Sequence, residues 1–105
     1  MTLQDRLVDL ADELLNLFED GNKLVYKRLI SLRHTIRNKL SALEIYDGLH
    51  QFYLENSASL ETKDIGAFKR TQYADDIDLI WSELSGSNRA LVWKWVDAII
   101  RDTLA

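Results

Sequence analysis

Along most of this 105-residue chain, apolar side chains recur at three- and four-residue intervals, the spacing of helices buried on one face. Leu3, Leu7, Leu10, Ala11, Leu14, Leu17 and Phe18 share such a face, while Asp5, Asp9, Asp12, Asn16 and Asp20 fall opposite. This predicts a first helix from Leu3 to about Glu19, with Thr2 and Asp5 as an approximate capping box. Asp20-Gly21-Asn22 reads as a turn in which Asn22 caps a second helix, Lys23 to Lys39, with a stripe of Val25, Leu29, Leu32, Ile36 and Leu40.

Ser41-Ala42-Leu43-Glu44 is a full capping box and opens a third helix of about Ala42 to Leu54, which Gly48 weakens by ~1 kcal/mol. The period fails from Glu55 to Gln72, which predicts a long loop pinned by Leu60, Ile65 and Phe68, with room for a short helical turn near Lys63 to Phe68. A fourth helix starts near Ala74, where Asp75, Asp76 and Asp78 suit the positive end of its dipole. Ser85-Gly86-Ser87 ends it, with Ser87 as the expected cap of a fifth helix from about Asn88 to Thr103. The expected fold is all-α: one domain over residues 1–105, a compact bundle of four to five helices with one long loop. The short polar turn after Asp20 predicts that the first two helices form an antiparallel hairpin.

Composition supports this picture. There is no proline and there are four glycines, so little interrupts the periodic segments. Cysteine is absent, which removes disulfides and thiolate metal ligands and fits a reducing compartment. The acidic N-terminal segment lacks the apolar stretch of a signal peptide, and no apolar run approaches the ~18 residues of a membrane span. A soluble intracellular protein is expected.

The net charge of −4 conceals a segregation: residues 1–20 carry −5, residues 21–43 carry +6 and residues 44–105 carry −5. Adjacent blocks of opposite sign are expected to attract. On the second helix, Lys23, Lys27, Arg33 and Arg37 form a candidate phosphate-binding face, the one nucleic-acid signal in the chain. Its competitor is a solvated face paired with the acidic first helix, which the acidic balance of the whole favours.

No catalytic constellation is visible. His34 and His50 lack helical carboxylate partners for a metal site, and Asp47 with His50 reads as a solvent-facing ion pair. The Asp75-Asp76-Ile77-Asp78 run lacks the glycine and closing glutamate of a calcium loop. No phosphate-binding glycine loop or Gly-x-Ser-x-Gly elbow occurs, so no enzyme, no metal and no cofactor is expected.

All three tryptophans lie in the last two helices. Trp93 and Trp95 point about 200° apart, so both cannot face one core. With Val92, Trp95, Val96 and Ile99 placed inward, Trp93 falls on the flank beside Ile100. There it is either a residue at the core's edge or an exposed aromatic anchor. Trp93 and Ile100 are therefore the candidate partner-binding residues, and Trp81 and Trp95 the expected buried pair.

The pattern Ile80-Trp81, Leu84, Ser85 to Asn88, Val92-Trp93, continued by Trp95-Val96 and Ile99, resembles small helical proteins of large double-stranded DNA viruses of algae and protists. The stretch Leu60 to Phe68 is similar to an apolar, Lys-Asp, aromatic element of that family, although Gly66-Ala67 departs from its usual acidic and aromatic residues. The resemblance implies a viral helical protein without assigned activity and transfers no functional residue. The expected function is thus a non-enzymatic structural or protein-interaction role, as a viral accessory or virion component, with a protein partner or self-association. The alternative is a nucleic-acid-associated protein using the basic helix.

Overall fold

The computed structural model describes residues 2–104 and is built from helices alone, with no strand among the described residues. Helix α1 spans Leu3–Phe18 and α2 spans Lys23–His34, running on as a π-helical turn over Thr35–Lys39. Helix α3 covers Ala42–Glu61, a 3-10 helix follows at Ile65–Arg70, and α4 (Ala74–Glu83) and α5 (Gly86–Leu104) complete the chain. The all-α expectation holds, with six helices rather than four or five.

The first three caps that the residue pattern predicts are present. Thr2 and Asp5 close a reciprocal capping box, as do Ser41 and Glu44, and the Asn22 side chain accepts from the Leu24 and Val25 amides. The first two helices form the predicted antiparallel hairpin. The Gln4 amide, at the start of α1, donates to the Ile36, Arg37 and Leu40 carbonyls at 2.8, 3.3 and 3.2 Å. One side chain thereby satisfies carbonyls that the π turn and helix end leave without intrahelical partners. Midway along the hairpin, Arg33 Nε donates to Asp12 at 2.6 Å.

The region 55–72 is not a long loop. Helix α3 continues to Glu61 across a kink at Asn56, whose backbone (φ −128°, ψ 17°) leaves helical geometry. Buried Asn56 offsets the kink: its Nδ2 donates to the Phe52 carbonyl at 3.0 Å, and its Oδ1 accepts from Arg70 at 3.3 Å. Helix α3 then ends in a Schellman arrangement, with the Lys63 amide donating to Leu60 and the Asp64 amide to Ser59. Lys63 occupies the left-handed position at φ 56°, where glycine is the usual residue. Asp64 caps the 3-10 helix by accepting from the Gly66 amide at 2.9 Å. The expected pins do hold this segment, since Leu60 is buried and Phe68 packs beside it. Sequence periodicity missed the helix because Asn56, Ser57 and Ser59 break the apolar rhythm while the backbone stays coiled.

Two buried clusters organise the interior. A mainly aliphatic one joins Phe18, Val25 and Leu29 of the hairpin region to Ile80 and Leu84 of the α4 region. An aromatic one gathers Leu60, Ala67 and Trp93, with Phe52, Phe68, Trp81, Val96 and Ile100 packed on it. Helix α1 packs against α2, α3 and α5, and Arg6 forms an ion pair with Asp102 near the end of α5.

Candidate functional site

Helix α5 corrects the expected roles of the tryptophans. Its first cap is Ser85, whose Oγ accepts from the Asn88 amide at 3.2 Å, so the helix begins two residues earlier than expected and Ser87 is not the cap. Trp93 is 7% exposed and sits at the centre of the aromatic cluster, whereas Trp95 and Trp81 are half-buried. Trp93 is therefore a core residue and no exposed anchor, and Ile100 packs on the same cluster. Two polar residues belong to the inward face and shift its centre. Thr103, almost fully buried, donates its hydroxyl to the Ile99 carbonyl at 2.8 Å. Arg89 donates from Nε and from a terminal nitrogen to the Trp81 carbonyl at 3.2 and 2.8 Å. Counting only apolar positions placed the face toward Trp95; including Arg89 and Thr103 rotates it onto Trp93.

Trp93 anchors a run of rings. It meets Trp81 edge-on at 5.9 Å and Phe68 at 5.9 Å, and Phe68 meets Phe52 at 5.1 Å. Such tilted and edge-to-face pairs contribute ~0.5–1.5 kcal/mol each beyond area burial. Two cations complete the stack: the Arg89 guanidinium lies 5.2 Å from the Trp81 ring centre, and the Lys63 ammonium 5.9 Å from that of Trp93. Lys63 also pairs with Asp97 at 3.1 Å.

Two spaces of different character border the Trp81–Trp93 pair. An apolar pocket of about 190 Å³ opens among α1, α2, the 3-10 helix, α4 and α5, with Leu10, Leu14, Leu32, Ile77, Val92 and Val96 among its walls and no polar atom exposed in it. It explains why these apolar residues are only half-buried although their spacing marks them as core. The second space is a surface cleft of about 520 Å³, lined by Lys63, Trp81, Gly86, Arg89, Ala90, Trp93 and Lys94.

The basic face of α2 is divided in use. Arg33 is tied to Asp12, and Arg28 reaches α4 to pair with Asp76 at 2.8 Å. Lys23, Lys27 and Arg37 are exposed and have no salt-bridge partner among the described residues. The block attraction between acidic and basic segments is thus delivered by one cross-hairpin pair, with other ion pairs running to more distant elements. Exposed Leu24 and Ile30 interrupt the charged face.

Pattern reading missed an outward stripe on α3. Leu43, Tyr46 and Leu54 are 68, 42 and 60% exposed, and with His50 they follow 3-4-4 spacing along one side. The His50 ring stacks on Tyr46 at 6.1 Å and 9°, and it makes no ion pair with Asp47 among the described residues. Glu44, Asp47 and Glu55 border the stripe, and all are exposed. The signal was available: Leu43 and Leu54 lie off the arc that Ile45, Leu49, Phe52 and Leu60 define.

No cluster of three or more histidine or acidic side chains suited to a metal ion occurs among the described residues. No described helix is long and apolar enough to cross a membrane. Comparison with protein-family models, curated proteins and solved structures returns no match.

Proposed function

We propose that the protein is a non-enzymatic interaction module, of the viral accessory or virion kind that the C-terminal resemblance implies, and that it docks through the outer stripe of α3. The observation carrying this reading is the run Leu43, Tyr46, His50, Leu54, where large apolar side chains stand in solvent at helical spacing beside acidic neighbours. Such a stripe is costly to leave exposed and is the form that helix-in-groove and helix-on-helix recognition takes. The occupant we assign is the outer face of α2 on a second copy. Its Leu24 and Ile30 supply apolar contacts, and Lys23 and Lys27 complement Glu44, Asp47 and Glu55. An antiparallel pairing of two α3 helices would set acid against acid along one border. The α2–α3 pairing is heterologous, so copies join head to tail.

The alternative, nucleic-acid association through the basic helix, draws support from the exposure of Lys23, Lys27 and Arg37 and loses Arg33 to its bond with Asp12. Sedimentation across a concentration series tests the module. Wild-type protein is expected to associate, and Leu54→Glu to abolish association while leaving the fold intact. Lys27→Glu and Asp47→Lys are each expected to weaken it, and their equimolar mixture to restore head-to-tail association, because both contacts between unlike variants pair opposite charges. A wild type that stays monomeric at every concentration overturns the reading. Loss of short-duplex binding in Lys27→Glu, with monomers throughout, would establish the alternative in its place.

A further inference from the structure

The apolar pocket and the cationic cleft share Trp81 and Trp93 as a common wall. We propose that together they bind an anionic amphiphile with a short tail, a medium-chain fatty acid, with its carboxylate in the cleft and its tail in the pocket. This site is separate from the α3 stripe and does not depend on it.

The head-group end is built for an anion. Lys63, Arg89 and Lys94 converge on the cleft, and Gly86, the first residue of α5, places the positive end of that helix beside them. Arg89 is fixed by its two bonds to the Trp81 carbonyl, and Lys63 is held by Asp97. Lys94 is exposed and has no salt-bridge partner among the described residues. Lys63 carries its charge there from a left-handed backbone, φ 56°, that glycine adopts without strain. A lysine at the position of a Schellman glycine sacrifices backbone ease and gains a cation over Trp93.

The tail end is built for hydrocarbon. The pocket exposes no polar atom, and its volume of about 190 Å³ exceeds the ~150 Å³ of cavities that stay dry and take up benzene. At ~30 Å³ for each group the size of water, it accommodates roughly six methylene-sized groups. Neither space specifies the ligand alone: the cleft would take any small anion and the pocket any small hydrocarbon. Their shared aromatic wall selects a molecule that is both. Half-buried Trp81 borders both spaces, while Trp93 is packed among Phe68, Leu60 and Ala67.

Titration of the full chain with octanoate and octanol, followed by calorimetry and tryptophan fluorescence, tests the proposal. Octanoate is expected to bind once per chain and perturb the tryptophan emission, and octanol to bind at least tenfold more weakly. From butanoate to octanoate, affinity is expected to tighten about fourfold per methylene and then level off. Lys94→Glu, on the surface, is expected to weaken octanoate at least fivefold and leave octanol unchanged. Lys63→Gly is expected to do the same while folding at least as well, because it relieves the left-handed lysine. Absence of saturable octanoate binding overturns the site. Equal affinity for octanoate and octanol, or indifference to both variants, overturns the assignment of the cleft as head-group site. The association state of Leu54→Glu reports on the α3 reading independently, so the two can fail separately.

Discussion

The two buried clusters differ in what polar atoms do around them. In the aliphatic one, Phe18, Val25, Leu29, Ile80 and Leu84 are drawn from apolar stripes, and the polar residues of those helices face outward, cap helix ends or form rim ion pairs. In the aromatic one, Leu60, Ala67 and Trp93 are bordered by polar side chains: buried Asn56 at the kink, half-buried Arg89 over the Trp81 ring, and exposed Lys63 over that of Trp93. Hydrocarbon burial alone assembles the first region. The second combines burial with side-chain hydrogen bonds whose loss leaves buried groups unpaired. The aromatic region should therefore respond more sharply to single polar changes, and its response should depend more on which ring is removed.

The largest expected effect separates the three tryptophans. Trp93→Ala removes the ring at the centre of the aromatic run and should destabilise by ~3–5 kcal/mol, enough to unfold a marginal domain at ambient temperature. Trp95→Ala, on the half-buried flank, should cost about 1–2 kcal/mol. At ~4–8 °C per kcal/mol, thermal melts resolve the difference easily. Equal losses for the two would mean that α5 is rotated relative to the arrangement described, and the assignment of Trp93 to the core would fall.

That contrast also explains what could be read along the chain. The hairpin was legible because its pattern is binary: apolar stripe inward, acids or bases outward, with Thr2, Asn22 and Ser41 marking the starts. Boundaries of α4 were legible for the same reason. The aromatic half was not, because Asn56, Arg89 and Thr103 count as exposed by residue type while occupying inward positions. Ignoring them displaced the inward face of α5 by roughly one position and exchanged the roles of Trp93 and Trp95. The α3 stripe was overlooked for the mirror reason, since Leu43 and Leu54 count as core by type and stand in solvent. The pocket has no sequence signature at all, because its walls are residues that any core would contain.

A smaller effect compares one amide from each region. Asn56→Leu leaves the Phe52 carbonyl and one Arg70 donor unpaired at a buried kink, and should cost ~1–3 kcal/mol. Gln4→Leu removes the bonds to Ile36, Arg37 and Leu40, but these carbonyls lie at a helix end within reach of water, so ~0.5–1.5 kcal/mol is expected. Chemical denaturation of both variants checks the ranking. A larger loss from Gln4 would show that the hairpin depends on its polar contacts as much as the aromatic region does, and the distinction between the regions would fail.

The smallest expected effect tests whether the cap of the hairpin's first helix is electrostatic. Bonds from the Thr2 backbone amide and side chain hold the Asp5 carboxyl below its ordinary value of 3.8, with Arg37 adding a lesser attraction. A lowered carboxylate pKa stabilises the fold above its unfolded value, and that contribution disappears as pH falls through the folded one. The carboxyl is fully exposed, so solvent screens the gain. Asp5→Asn keeps an acceptor oxygen but drops the charge, so wild type should melt slightly higher than the variant near neutral pH. The gap should close as pH falls below about 4, while the remaining hairpin contacts are unchanged. A gap constant across the whole pH range would assign the Asp5 effect to geometry and leave the charge with no role in starting α1.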